Sequence, residues 1–338
     1  MFMTTVRKSL ALGFAAVLTA GLVAGCGGSS KPSADSGGGA SKQYKVGIVQ
    51  LVEHSALDAA NKGFVDGLKK RGLEEGKNLT IDRQNAQADQ SNLQNIGQRF
   101  LSNKVDLIYA IATPAAQTMA SLTKEIPIVG SAITDYVGAN LAASNEAPKG
   151  NVTGTSDMSP IKEQIDLLQK LYPDAKTIGT IYCSSEVNSE LQAKAMKDYA
   201  ESKGLQVETA TISTVNDIQQ AAQSLVSKVD VFYEPTDNVI SSALPTLLGV
   251  TTPAKKGIIC GEPHQVTAGA LITYGIDYYK LGMQSGDMAA DILEGKAKPA
   301  AMPIQTAKEL RTFINKKTAA ALGLTIPEAI AKDAEMVD

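Results

Sequence analysis

Val105–Ala116, VDLIYAIATPAA, is the stretch on which the reading of this chain turns. The run from Val105 to Ala112 is almost continuously apolar, and Thr113-Pro114 then opens a helix-forming segment. A short apolar run bounded by turn residues reads as a strand buried on both faces, as in a parallel sheet. Thr113 fits the N-cap, Pro114 fits N1, where no backbone donor is needed, and Ala115 follows in the first turn. A strand that ends in a helix N-terminus presents free N–H groups and partial positive charge, and so suits a carboxylate or phosphate. Val229–Asn238, VDVFYEPTDN, repeats the pattern with Asp237 at the strand end, so the matching junction suits a cation.

Outward from these two stretches the chain alternates strand and helix. Strands are predicted at Lys45–Leu51, Asn78–Gln84, Val105–Ala112 and Ile126–Ile133, with helices at Leu57–Arg71, Ser91–Asn103 and Pro114–Thr123 between them. Asn151–Asp157, NVTGTSD, breaks the rhythm, and a second cycle follows. Its strands are Thr177–Cys183, Gln206–Ile212, Val229–Glu234 and Gly257–Cys260, and its helices are Ile161–Leu171, Ser189–Lys203, Val215–Lys228 and Val239–Val250. Such alternation calls for doubly wound parallel sheets with right-handed crossovers. Strand Ala270–Ile276, helix Tyr278–Leu293 and extended Met302–Thr306 come next, and helical segments are expected around Leu310–Leu322 and Pro327–Ala334. The fold class is therefore α/β, with two doubly wound parallel-sheet lobes joined by three crossovers. Residues 44–153 plus 278–303 form lobe 1, and 154–277 plus 304–338 form lobe 2. Gly154, Gly275 and Pro303 lie near the crossings and are expected to absorb hinge motion.

The 338 residues are 43% hydrophobic and 20% charged, with a net charge of −3, as in ordinary globular chains. No basic stripe and no Trp support a nucleic-acid surface. Arg7 and Lys8 precede an apolar run, Ser9–Val23, that ends in Val23-Ala24-Gly25-Cys26. A basic start, a short apolar core and small residues before a cysteine describe a lipoprotein signal over residues 1–25, with Cys26 as the lipidated residue. Residues 26–43 then read as a flexible Gly/Ser-rich tether on the extracytoplasmic face of a bacterial membrane. In a 2-1-3-4 strand order Cys183 and Cys260 are two strands apart, roughly 10 Å, and stay free.

Catalytic signatures are missing: no G-x-S-x-G, no Walker A, no H-E-x-x-H and no C-x-x-C. With only His54 and His264, histidine-based catalysis has little to draw on, and no metal or nucleotide cofactor is expected. Strand ends are where open α/β sheets bind ligands. That rule selects Glu53 and His54, Thr113 to Ala115, Asp135, Asp157, Glu186, Asn188, and Asp237 with Asn238. Tyr136, Tyr182, Tyr233 and Tyr274 lie near strand ends, where they either pack the core or wall a pocket.

The chain also resembles a known family. VEHSALDAANKGF (52–64), NAQADQSNL (85–93), DLIYAIATPAAQ (106–117), NVTGTSD (151–157), SEVNSE (185–190), PTDN (235–238) and GALITYGIDYYKLG (269–282) carry the resemblance. It is to the lipid-anchored substrate-binding proteins of bacterial ABC importers, in the group associated with tryptophan and tyrosine uptake. The resemblance implies a type I periplasmic-binding-protein fold, no catalysis, a monomer that meets a membrane permease, and a ligand of amino-acid type, aromatic in that group. By matching motif it places Glu53, Thr113, Asp157, Glu186, Asn188, Asp237 and Asn238 at the cleft. One departure is Tyr136, which follows Asp135 where the family often has proline, and an aromatic there would reshape the pocket. The rival readings are a lipid-anchored hydrolase on the same architecture and a ligand-sensing lipoprotein.

Overall fold

The computed structural model describes residues 42–338, so the signal segment, Cys26 and nearly all of the Gly/Ser-rich stretch lie outside the described residues. The first part runs β1 (Tyr44–Gln50), α1 (Ser55–Lys70), β2 (Leu79–Asn85), α2 (Gln90–Asn103), β3 (Leu107–Ile111), α3 (Thr113–Leu122), β4 (Ile128–Ile133) and β5 (Val152–Ser156). The second runs α4 (Ile161–Leu171), β6 (Thr177–Cys183), α5 (Val187–Ser202), β7 (Gln206–Ile212), α6 (Ile218–Leu225), β8 (Val231–Glu234), α7 (Asn238–Ser242), α8 (Leu244–Thr251), β9 (Ile258–Cys260), α9 (Pro263–Thr267) and β10 (Ile272–Ile276). The last part is α10 (Tyr278–Leu293), β11 (Gln305–Thr306), β12 (Leu310–Asn315), α11 (Lys316–Leu322), α12 (Glu328–Ala331) and β13 (Ala334–Val337).

Two sheets result. The first has six strands in the order β2-β1-β3-β4-β5-β11, all parallel. The second has seven in the order β7-β6-β8-β9-β10-β12-β13, parallel except where β12 runs against β10. Both contain the expected 2-1-3-4 order. β3 and β4 are buried along their whole length, as strands covered by helices on both faces must be, while the edge strand β7 is largely exposed. Cys183 on β6 and Cys260 on β9 have β8 between them and are free and buried.

The structure differs from the sequence expectation in three places. Leu310–Asn315 is a strand rather than a helix: its Thr312-Phe313-Ile314 core is β-branched and aromatic, and it satisfies the open edge of β10. The helix expected over Val239–Val250 is broken at Ala243, because Pro245 has no N–H to continue it. The crossings also come later than expected. β5 stays in the first sheet to Ser156, and β11 joins that sheet by pairing Gln305 with Thr155 and Thr306 with Ser156.

Tyr136 is a core residue, not a pocket wall. Its ring is fully buried, its hydroxyl donates to the Thr155 carbonyl at 3.1 Å, and it fills the space left by two glycines. A Cβ on Gly154 would stand 2.5 Å from that hydroxyl and 2.1 Å from the Gly130 carbonyl, and its φ of +146° suits only glycine. Gly154 is thus a packing position inside β5 rather than a swivel. Tyr233 is likewise fully buried, and Tyr182 and Tyr274 are half-buried.

One helix contact ties the two sheets' chain path together. α10 follows β10 of the second sheet yet packs on α1 of the first lobe, backbone against backbone. A Cβ on Gly63 would lie 2.1 Å from the Tyr279 carbonyl, and one on Gly282 would lie 2.1 Å from the Ala60 carbonyl. Gly282→Val therefore forces the helices apart. It is expected to cost about 1–3 kcal/mol and lower the thermal midpoint by several degrees. A circular dichroism melt checks this; an unchanged midpoint would show that the contact is dispensable.

Candidate functional site

In the first lobe the site is built where β1, β3, β4 and β5 end. β1 leads through Leu51 to His54, the N-terminal flanking residue of α1, held extended at φ −160°. Glu53 is exposed and stands outside the site, whereas His54 is half-buried and reaches the other lobe. At the end of β3 the N-cap is Ala112, with φ +83°, not Thr113 as the sequence suggests. Thr113 is the first residue of α3, with Pro114 and Ala115 completing its opening turn. Its side chain therefore caps nothing: Thr113 Oγ1 is buried with no hydrogen-bond partner.

Beyond β4, Asp135 is spent on a local turn, accepting from the N–H groups of Val137 and Gly138 at 3.0 Å each. Asp157, just past β5, is different. It is 4% exposed, and its oxygens accept from the Tyr278 hydroxyl at 2.6 Å and the Thr134 hydroxyl at 3.2 Å. Burial raises its pKa to about 6.

The second lobe places two carboxylates beneath α7. Asp237 is its N-cap, accepting from Ile240 N at 2.9 Å and from Cys183 N at 2.7 Å. It is fully buried and both its oxygens accept from backbone N–H groups, so it acts as a cap at the junction that the sequence read as suited to a cation. Glu186 also serves α7, accepting from the backbone of Asn238 and Val239 at 3.3 and 3.2 Å and from the side chains of Asn188 and Asn238. Burial, then each other's charge for Glu186, raises the pKa of both. The helix N-terminus is what lets two acids share so small a volume. Asn188 donates to Glu186 and to the Thr236 carbonyl, while its Oδ1 has no partner.

Asn238 links the lobes. Its Nδ2 donates to Glu186, so its Oδ1 must accept, and His54 Nε2 lies 3.3 Å from it. That geometry puts the hydrogen on His54 Nε2. Burial lowers the pKa of His54. A second bridge joins Gln192 of α5 to Thr134 of the first lobe at 3.1 Å.

Glu262 and Tyr278 were not read from the sequence as site residues. Glu262 caps α9, accepting from His264 N at 2.6 Å and Gln265 N at 2.9 Å, with His264 Nδ1 at 3.2 Å. Burial disfavours charge on His264, but the Glu262 contact outweighs it and the pKa rises. The signal was present: Glu262-Pro263 follows β9 as Thr113-Pro114 follows β3. Thr134, Gln192, Thr236 and Tyr278 carried no such mark.

These groups line a narrow pocket between the lobes, walled by His54, Leu57, Asp157, Thr236, Asn238, Glu262 and Tyr278 among others, with about 10 Å³ of space, room for little more than a water molecule. A larger groove along Asp277, Lys280, Glu309 and Arg311 has its cations paired, Lys280 with Glu309 at 2.9 Å and Arg311 with Glu309 at 3.6 Å. The narrow pocket has the opposite character. Asp157 and Glu262 line it, Glu186 and Asp237 are buried behind it under α7, and among the described residues no Lys or Arg pairs with any of the four. Nor does any group of three or more His, Cys, Asp and Glu among the described residues stand close enough to hold a metal ion. No helix among them is long and apolar enough to cross a membrane.

Residues 45–338 match the family of ABC transporter substrate binding proteins. A tyrosine-binding protein of Clostridioides difficile is 44% identical over 321 residues, which is 94% of this chain and 93% of that protein. An ABC domain from Streptococcus pneumonia, solved in complex with L-Trp, is 41% identical, covers 88% of this chain and all of its own, and superposes with a TM-score of 0.85. The ligand-free, open structure of a Clostridium difficile substrate-binding protein with adhesive properties is 43% identical over 87% of this chain and 99% of its own, with a TM-score of 0.67. The rival hydrolase reading draws nothing from these relatives. The chain belongs to the ABC transporter substrate binding protein family and serves as the substrate-binding component of an ABC transporter.

Proposed function

We propose that the cleft between the lobes captures an amino acid with an aromatic side chain and that the lobes close on it for delivery to an ABC permease. The observation that carries this reading is Asp157: a buried carboxylate on the cavity wall with two hydroxyl donors and no protein cation. Leaving an ionised carboxylate so costs several kcal/mol, and a ligand ammonium removes that cost. For the opposite end of a zwitterion the first lobe offers Thr113 Oγ1, buried without a partner in the first turn of α3, a group that suits a carboxylate. Aromatic identity rests on the relatives that bind L-Trp or carry the name tyrosine-binding protein. Asp237 and Glu186 support the floor of the site by holding α7, and Asn238 carries their influence to the cavity. The relatives are substrate-binding proteins, so binding without catalysis is the function proposed.

The lobes stand closed in this reading. At nearly equal identity the fold matches the L-Trp complex better than the open, ligand-free relative, and buried hydrogen bonds cross the cleft. The protein works as a monomer tethered at Cys26 on the extracytoplasmic face.

Because the chain contains no Trp, the fluorescence of L-tryptophan reports its own binding without background. Asp157→Asn is expected to weaken L-tryptophan and L-tyrosine binding about 10²–10³-fold, since it leaves a buried ammonium unpaired. Binding within a few fold of wild type would refute the assignment.

The pH profile gives an independent check. With burial holding its pKa at about 6 in this structure, Asp157 without ligand is protonated below that value and ionised above it. Ammonium binding needs the ionised form, so affinity is expected to be flat above about pH 6 and to fall about tenfold per pH unit below it. Calorimetry at pH 5 and 7.5 decides; equal affinities would be incompatible with this pairing.

Cys26→Ala expressed as the full chain is expected to release folded, binding-competent protein from the membrane fraction, because the lipid supplies the attachment. Persistence in the membrane after a carbonate wash would disprove the anchor.

A further inference from the structure

Gln192 belongs to no group of residues so far assigned to ligand. It lies on α5 of the second lobe, is fully buried, and points across the cleft. Its Nε2 donates to Thr236 Oγ1 at 2.6 Å and to Thr134 Oγ1 at 3.1 Å, with the Asn188 carbonyl one turn back at 3.3 Å as the longest contact. Its Oε1 accepts from Thr236 N at 3.3 Å. The amide is therefore clamped on its own lobe by Thr236, and its remaining hydrogen is delivered to the first lobe.

Thr134 turns that hydrogen into a message. A hydroxyl has one hydrogen to give. With Gln192 donating to Thr134 Oγ1, the Thr134 hydrogen is left to point at Asp157 Oδ1, 3.2 Å away. Bonds in such a chain strengthen one another, and a donor aimed at a carboxylate favours its ionised form. The first link spans the lobes and exists only while they are together.

We propose that Gln192 is a positioning residue that couples lobe closure to the hydrogen bond with which Asp157 holds a ligand cation. This rests on the assignment of Asp157 made above and adds its regulation. In the open protein Thr134 loses its fixed donor and its hydroxyl can turn away. On closure the second lobe completes the donor set of an acid on the first, so affinity is concentrated in the closed state and read out in the dissociation rate.

The other titratable groups around Asp157 are Glu262, His54, Tyr278 and Tyr136. All are left in place by the test, which uses L-tryptophan as probe in stopped-flow fluorescence. Gln192→Met keeps length and volume but removes the donor. Expected are an association rate close to wild type, dissociation faster by about 5–10-fold, and a pH midpoint of the dissociation rate raised by about half to one unit. Thr134→Val should reproduce both effects, Thr134→Ser should restore both, and the double variant should add nothing to either single one. Melts of the ligand-free variants guard against misfolding, and Thr134→Val with its serine rescue carries the test if Gln192→Met is unstable. Faster dissociation with an unmoved pH midpoint would reduce Gln192 to a mechanical contact and overturn the proposal. So would wild-type dissociation in both variants while Asp157→Asn abolishes binding. If Asp157→Asn binds like wild type, the assignment itself fails and the coupling falls with it.

Discussion

The structure is organised around buried negative charge that the protein does not neutralise. Asp157, Glu186, Asp237 and Glu262 converge on the space between two sheets, and only a histidine, His264, contacts any of them as a cation would. Each ion so placed carries a desolvation penalty of several kcal/mol. The second lobe offsets it with backbone: the N-termini of α7 and α9 supply N–H groups to three of the four acids. Asp157 receives only hydroxyls. Of these four it is the acid that no helix N-terminus serves, and so the one with most to gain from an ammonium.

That arrangement depends on where the chain crosses between lobes. α10 begins at Tyr278, immediately after the second sheet, and is locked to α1 through Gly63 and Gly282 without side chains between the helices. Close backbone contact leaves no slack for the first turn of α10, so Tyr278 presents its hydroxyl to Asp157 from a fixed position. Fold and site meet in that one phenol.

The parallel sheets, their order and the free cysteines were legible because apolar runs and helix breaks are local signals. The tail was not. Leu310–Asn315 has little alternation of its own, and it is a strand because β10 has an open edge to fill. The same division runs through the site. His54, Thr113, Asp157 and Asn238 stand at strand ends or crossings, where a rule about α/β sheets finds them. Asp237 satisfies that rule too, but its position cannot reveal that Cys183, distant in sequence, supplies a second N–H and turns a candidate ligand residue into a cap. Tyr136 shows the limit from the other side. Its burial depends on the absence of side chains at Gly130 and Gly154, a fact about two neighbours rather than about tyrosine.

The crossings carry the site as well as the chain. Asp157 lies on the first crossing and Tyr278 on the second, and the 2.6 Å bond between them ties the two together. Gly154 is held inside β5 by the Gly130 backbone, so bending has to begin beyond Ser156, where pairing in the first sheet ends. A hinge placed there turns beside Asp157 rather than carrying it through an arc. On the far side of the cleft stand Asn188, Gln192 and Asn238 of the second lobe, with Glu262 beside them. The pocket thus sets one acid of the first lobe, Asp157, against amides and a capped acid of the second, and two of those amides, Gln192 and Asn238, make hydrogen bonds that cross between the lobes.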